Sequence, residues 1–176
     1  FQVNLTMKEG HYSWSNQSFR SFDSTVLEII TNQGISGFGE ICPLGPSYLP
    51  SYSEGVRVGI KKLSEILLGK DPSNINNINF LMDNALKGHP YVKSAVDIAC
   101  WDILGKKMNI PVYTLLGGKL QSKVKLFKVI SRDIPEIMQE KVNEYQEQGY
   151  QQFQMKVGAE PTVDISRIKL VSKDLK

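Results

Sequence analysis

The sequence predicts an α+β unit, a three-stranded meander plus a helical hairpin or bundle, followed by an unfinished parallel βαβα unit. Three observations carry this. The first 42 residues alternate and turn as β-structure does; three helical stripes follow; and after Lys119 the pattern becomes strand, helix, strand, helix with short loops.

In the first unit, Phe1, Val3, Leu5 and Met7 alternate as on a strand. Residues 8–21 read as a polar loop carrying aromatics. Residues 24–30 form a strand, Asn32-Gln33-Gly34 a turn in which glycine tolerates a positive φ, and residues 35–41 the returning strand. Three prolines in residues 43–50 exclude regular structure there.

Ser51-Tyr52-Ser53-Glu54 fits a capping box at a helix start. Val56, Ile60, Leu63 and Leu67 then make a helical stripe, stopped by Gly69 and Asp71-Pro72. A second helix spans about 74–87, with Asn74 as cap and Ile75, Ile78, Met82 and Ala85 on one face. A third runs from about 91 to 107 with Val92, Ala95, Val96, Ala99 and Ile103 inward. A short helical turn follows Pro111 and closes at Gly117-Gly118.

In the second unit, residues 124–131 read as a strand, 134–148 as an amphipathic helix, 150–157 as a second strand, and Pro161 onward as a second helix. Two parallel strands cannot bury both faces of a sheet, so this unit is unfinished as it stands.

Composition excludes several classes. Of 176 residues 41% are apolar and 22% charged, which favours a packed core over disorder. The net charge is only +3 and the basic residues are scattered, so no nucleic-acid surface is expected. No stretch approaches the ~20 apolar residues of a membrane span. No secretory signal is visible, and the chain opens on Phe1 rather than Met, which points to a start further upstream. Cys42 and Cys100 lack the spacing of a disulfide framework or metal site and read as reduced thiols of a cytoplasmic protein. No glycine-rich phosphate loop is present.

The candidate for chemistry is Lys156. Phe153, Met155 and Val157 share the face of the strand that meets helices; Gln152, Gln154 and Lys156 share the other, which in a closed barrel points inward. Lys156 is the last such residue before Gly158, at the strand end where catalytic groups of barrels gather. An inward lysine in apolar surroundings can serve as a base. The alternative is a lysine reaching out to solvent from a strand end, and the pattern alone leaves both open.

Three stretches carry a family resemblance: residues 37–46 (Gly-Phe-Gly-Glu-Ile-Cys-Pro-Leu-Gly-Pro); residues 94–106 with Pro111-Val112-Tyr113 and Leu115-Leu116-Gly117-Gly118; and Gln154-Met155-Lys156-Val157-Gly158. They resemble, in turn, the third capping-domain strand with its loop, the domain-junction helix, and the second barrel strand of the mandelate racemase/muconate lactonizing enzyme family of the enolase superfamily. Residues 45–50 and 52–57 are similar to a subgroup acting on proline derivatives, the hydroxyproline betaine epimerases and cis-3-hydroxyproline dehydratases.

The resemblance implies a capping domain at 1–118 and the start of a TIM (β/α)₈ barrel at 119–176. It implies proton abstraction next to a carboxylate, through an enediolate stabilised by Mg²⁺, with epimerisation or dehydration as outcome. Lys156 inherits the role of base. Gln154 stands where the family motif has its leading lysine and becomes a polar neighbour. The loops 8–21 and 43–50 would line the pocket, so Tyr12, Trp14 and Tyr48 are the expected substrate contacts, with aromatic faces suited to a quaternary ammonium. The same aromatics could instead only pack the loops. His11 and His89 read as structural or solvent-facing.

The family's metal ligands lie on later strands, so none is assigned in this chain; Asp97 and Asp102 are read as packing and hydrogen-bonding residues of the junction helix. The implied partners are a small carboxylate substrate and further copies of the same protein, with no nucleic acid and no membrane. Muconate cycloisomerase and dipeptide or amino-acid epimerase remain alternatives within the superfamily. A truncated non-catalytic protein and an unrelated α/β binding module are alternatives outside it.

Overall fold

The computed structural model describes residues 1–15, 17–158 and 160–175, apart from the Asp174 side chain. The chain separates into two compact units. One comprises residues 1–5 and 22–120; the other comprises 6–21 and 121–176.

The first unit holds a three-stranded sheet in the order β1 (Gln2–Thr6), β4 (Ser21–Ile30), β5 (Ser36–Ile41). Strands β4 and β5 are antiparallel, with Ile30 opposite Ser36 and Thr25 opposite Ile41. The turn between them has Gly34 at φ +77°, as the Asn-Gln-Gly pattern anticipates. Helices α1 (Ser53–Leu67), α2 (Ile75–Ala85), α3 (Pro90–Met108) and the single turn α4 (Val112–Leu115) follow. Their core is Leu63, Ile78, Met82, Val92, Val96 and Cys100, with Leu27 and Ile29 of the sheet packed against it.

The glycines of β5 explain how α3 meets the sheet. A Cβ on Gly37 would overlap the Ala99 carbonyl oxygen, and one on Gly39 the Ala95 carbonyl oxygen. The strand therefore presents bare backbone to a helix face that is itself small. Asp102 closes this seam by accepting from the Phe38 N–H at 2.9 Å and from Lys106 at 2.7 Å. Asp97 accepts from Asn79 at 2.8 Å. Both aspartates thus make the structural hydrogen bonds expected of them.

Two local expectations need correction. Ser51-Tyr52-Ser53-Glu54 is not a capping box: α1 begins at Ser53, its N-cap Tyr52 makes no side-chain cap bond, and the Ser53 hydroxyl donates to the Asp23 carbonyl at 2.7 Å. The helix starts one residue later than the box requires, so Ser51, whose hydroxyl would have capped it, falls before the N-cap. The Asn74 cap does form, accepting from the Asn77 N–H at 3.2 Å. Residues 8–21 are not a plain loop: β2 (Tyr12–Trp14) and β3 (Gln17–Phe19) pair as an antiparallel hairpin with Tyr12 opposite Phe19.

That hairpin belongs to the second unit. Here β6 (Lys128–Ile130) and β7 (Phe153–Met155) form a parallel pair, with α5 (Pro135–Glu147) crossing between them and α6 (Pro161–Val171) after them. The core is Ile130, Met138, Val142, Tyr145 and Val171, with Phe153 and Met155 against it. Both strands are shorter than the apolar pattern implied, and Val124 and Leu126 precede β6 as exposed chain. No helix among the described residues is long and apolar enough to cross a membrane.

Candidate active site at the ends of the parallel strands

Alternation along β7 sorts its side chains as the sequence implies. Phe153 and Met155 face the helix-packed core, while Gln154 is exposed on the open face. Lys156 follows the strand, and its N–H donates to the Ile130 carbonyl at 3.0 Å, continuing the ladder with β6 by one residue. Its side chain is half-buried.

The hairpin crosses the ends of both strands. The Arg132 N–H, just past β6, donates to the Ser13 carbonyl at 2.9 Å; the Ser15 N–H donates to the Val157 carbonyl, just past β7, at 3.3 Å. The Ser131 hydroxyl donates to the His11 carbonyl at 3.4 Å. Gly158, at φ +115°, leaves no room for a side chain, since a Cβ there would come within 2.7 Å of the Ser15 hydroxyl oxygen.

Two polar contacts fix the hairpin's approach. The His11 Nε2 lies 3.4 Å from an Asp133 carboxylate oxygen. Lys128 pairs with Glu9 at 2.9 Å and lies over the Tyr145 ring at 4.4 Å. Burial raises the Glu9 pKa, but hydrogen bonds from Tyr145 and Lys128, with the charge of Lys128, outweigh it and hold the carboxyl below its usual range. The Tyr145 hydroxyl is pushed upward by burial and by this carboxylate.

The aromatic side chains form a small platform. Trp14 stacks on Phe19 with centroids 5.0 Å apart and planes 7° from parallel, and Tyr12 tilts against Trp14 at 5.0 Å. The Lys156 Nζ lies 5.9 Å from the Tyr12 ring centroid. Tyr12, Trp14, Gln154 and Lys156 are therefore all in one unit, with Tyr12 next to the amine. Tyr48 is in the other unit, where it is exposed and its N–H donates to the Gly45 carbonyl at 3.1 Å.

The sequence reading missed two residues here. Arg167 is only 5% exposed and bonds to Asp164 and to the Asp133 backbone. Its signal was the Asp164-x-x-Arg167 spacing one turn apart on α6. Arg132 is half-buried, and its Nε has no hydrogen-bond partner among the described residues. No group of three or more His, Cys, Asp or Glu among the described residues could hold a metal ion. These residues alone therefore do not fit a magnesium centre.

The first unit also contains an open cavity of about 640 Å³ lined by Leu27, Ile29, Ile60, Leu67, Cys100 and Lys107 among others. None of the candidate residues lines it. Cys42 and Cys100 are both free, and burial pushes the Cys100 thiol up to about 12.

Residues 5–117 match the family profile described as mandelate racemase / muconate lactonizing enzyme, N-terminal domain. The whole chain is 54% identical to 48% of a cis-3-hydroxy-L-proline dehydratase from Roseibium aggregatum. The crystal structure of an N-succinyl Arg/Lys racemase from Bacillus cereus superposes with a TM-score of 0.94 at 34% identity, covering 100% of this chain and 47% of that one. A dipeptide epimerase from Enterococcus faecalis, solved with Mg and the dipeptide L-Leu-L-Tyr, superposes with a TM-score of 0.92 at 30% identity, covering 100% and 49%. The chain spans about half the length of these relatives.

Proposed function

Since this chain belongs to the mandelate racemase / muconate lactonizing enzyme family, we propose that it forms the capping domain and first barrel strands of an enzyme that removes a proton next to a carboxylate. The substrate proposed is a hydroxyproline-type amino acid, and the outcome is dehydration or epimerisation. Lys156 is the base. The observation that supports this reading is the Lys156 Nζ, just past the end of β7, 5.9 Å from the Tyr12 ring of the hairpin that crosses the strand ends.

In the proposed mechanism the Lys156 amine accepts the substrate α-proton. Tyr12 and Trp14 offer aromatic surface to a cationic ring nitrogen and, with the hairpin closed over the strand ends, keep water from the carbanionic intermediate. Gln154 supplies amide hydrogen-bonding capacity on the same strand face. Mg²⁺ is proposed for the complete enzyme, on ligands that this chain does not contribute, and no step is assigned to it here.

The functional division we propose keeps residues 1–118 as capping domain and 119–176 as barrel. The hairpin then belongs by chain to the cap and by contact to the barrel strands. A cytoplasmic location is supported by the two unpaired thiols. Self-association is proposed from the exposed apolar residues near the open strands, such as Val124, Leu126 and Phe127.

The 54% identity to a hydroxyproline dehydratase favours that substrate class. The second reading, dipeptide epimerisation, draws on the Enterococcus relative. The deciding experiment measures turnover of cis-3-hydroxy-L-proline, hydroxyproline betaine and L-Leu-L-Tyr by the complete enzyme with Mg²⁺, and exchange of the α-proton with D₂O. The expectation is turnover of a hydroxyproline compound and loss of exchange in Lys156→Ala by at least about 10³-fold. Undiminished exchange in that variant removes Lys156 from the role.

A further inference from the structure

The most deeply buried charged side chain in the second unit is not in the site described above; it lies behind it. Arg167 on α6 is 5% exposed. Its Nε donates to the Asp133 backbone carbonyl at 2.7 Å, and its Nη1 donates to the Asp164 carboxylate at 2.7 Å. The other oxygen of Asp164 accepts the Gly158 N–H at 2.9 Å.

These bonds connect two places that chemistry would need held together. Asp133 stands three residues beyond β6, and its carboxylate also meets His11 of the hairpin segment. Gly158 stands two residues beyond Lys156, and its neighbour Val157 is bonded to Ser15 of the hairpin. One guanidinium therefore ties the segment after β6 to the segment after β7, through one backbone acceptor and one carboxylate. The planar fork of arginine suits this, because its Nε and Nη protons point in fixed divergent directions; a lysine amine offers no such geometry.

Removing either partner leaves a buried ion without its counterpart. Removing Asp164 also frees the Gly158 N–H, so the turn that carries the Lys156 backbone loses a side-chain tether. A general base displaced by even ~1 Å loses about 10²-fold in rate.

We propose that Asp164 and Arg167 are positioning residues for the base, setting where the Lys156 amine stands relative to the substrate carbon without touching substrate. This rests on the assignment of Lys156 as base.

The test uses the complete enzyme with Mg²⁺ and cis-3-hydroxy-L-proline. Asp164→Asn is isosteric, and Arg167→Lys and Arg167→Met form a graded pair. Each variant is read for kcat, KM, the pH profile of kcat/KM, and folded fraction by circular dichroism. The expected result is a fall in kcat of about 10- to 100-fold for Asp164→Asn, with KM within about threefold of the unaltered enzyme. Its pH profile shifts along the limb that Lys156→Ala abolishes. Arg167→Lys recovers part of what Arg167→Met loses.

A kcat within twofold in folded Asp164→Asn overturns the proposal. So does a loss that only tracks the unfolded fraction in all three variants, since that is a stability role. If Lys156→Ala keeps full α-proton exchange, the base assignment itself fails, and it is recognised by that result and not by the behaviour of Asp164 or Arg167.

Discussion

Each of the two units has its own kind of internal order. The first is a packed solid: Leu63, Met82 and Ala95 are fully buried, and the glycines of β5 let α3 lie directly on the strand. The second has a core on one side of its strand pair only, and the remaining order comes from polar ties: Glu9–Lys128, His11–Asp133, and Arg167 with Asp164 and the Asp133 carbonyl. Dense packing resists change by volume and is indifferent to pH and salt. Ionic ties resist change by geometry and respond to both. The base we propose, Lys156, lies in the unit of the second kind.

The comparison is sharpened most by steric substitution. Gly39→Val puts a side chain where the Ala95 carbonyl already lies, and neither backbone can withdraw. A loss of at least about 4 kcal/mol is expected, read by urea denaturation of this chain. Next comes deletion of matched buried groups. Leu63→Ala is expected to cost about 3 kcal/mol, and Met138→Ala about 2, because a core open on one side can collapse around the gap. Equal losses would break the contrast between a closed and a one-sided core.

A smaller effect is read by pH at Glu9 in the second unit. The Glu9 carboxyl has its folded pKa below the ordinary 4.5, so its contribution is complete above about pH 4.5 and is lost as pH falls through the lower folded value. Trp14 emission should therefore report hairpin loosening on acidification, and Glu9→Gln should flatten that acid limb. The smallest effect is chemical. In the native chain Cys100 should stay unmodified by an aromatic disulfide reagent at pH 8, its thiol being raised to about 12 by burial, and should react once urea exposes it. Modification at the native stage would mean the first core is looser than its packing implies.

The parts legible in the sequence are those governed by short-range pattern. The inward set Val92, Ala95, Val96, Ala99 and Ile103 of α3 is buried as the 3.6-residue period requires. The Asn74 cap forms. Alternation alone placed Gln154 on the face opposite Phe153 and Met155. What escaped notice depends on distant partners. Ser51-Tyr52-Ser53-Glu54 reads as a capping box, but the helix begins at Ser53, whose hydroxyl donates to Asp23 thirty residues earlier in the chain. Tyr12–Trp14 and Gln17–Phe19 are too short to announce strands, and their place is set by Arg132 and Val157. The Asp164-x-x-Arg167 spacing was the one local sign of Arg167, and its bond to the Asp133 carbonyl, 34 positions away, had none. For the candidate site, the hairpin's place across the strand ends was likewise not readable.

The seat of the hairpin has a consequence for the birth of the chain. His11 and the Ser131 that bonds to it are 120 positions apart, and the hairpin emerges from the ribosome long before either strand it will cover. At roughly 5–20 residues per second, that interval is on the order of ten seconds. Throughout it Tyr12, Trp14 and Phe19 have no surface of their own unit to rest on. A nascent polypeptide of this design carries an adhesive aromatic segment while the residues between the hairpin and β6 are made, and a chaperone that binds such segments would find its target at residues 12–19.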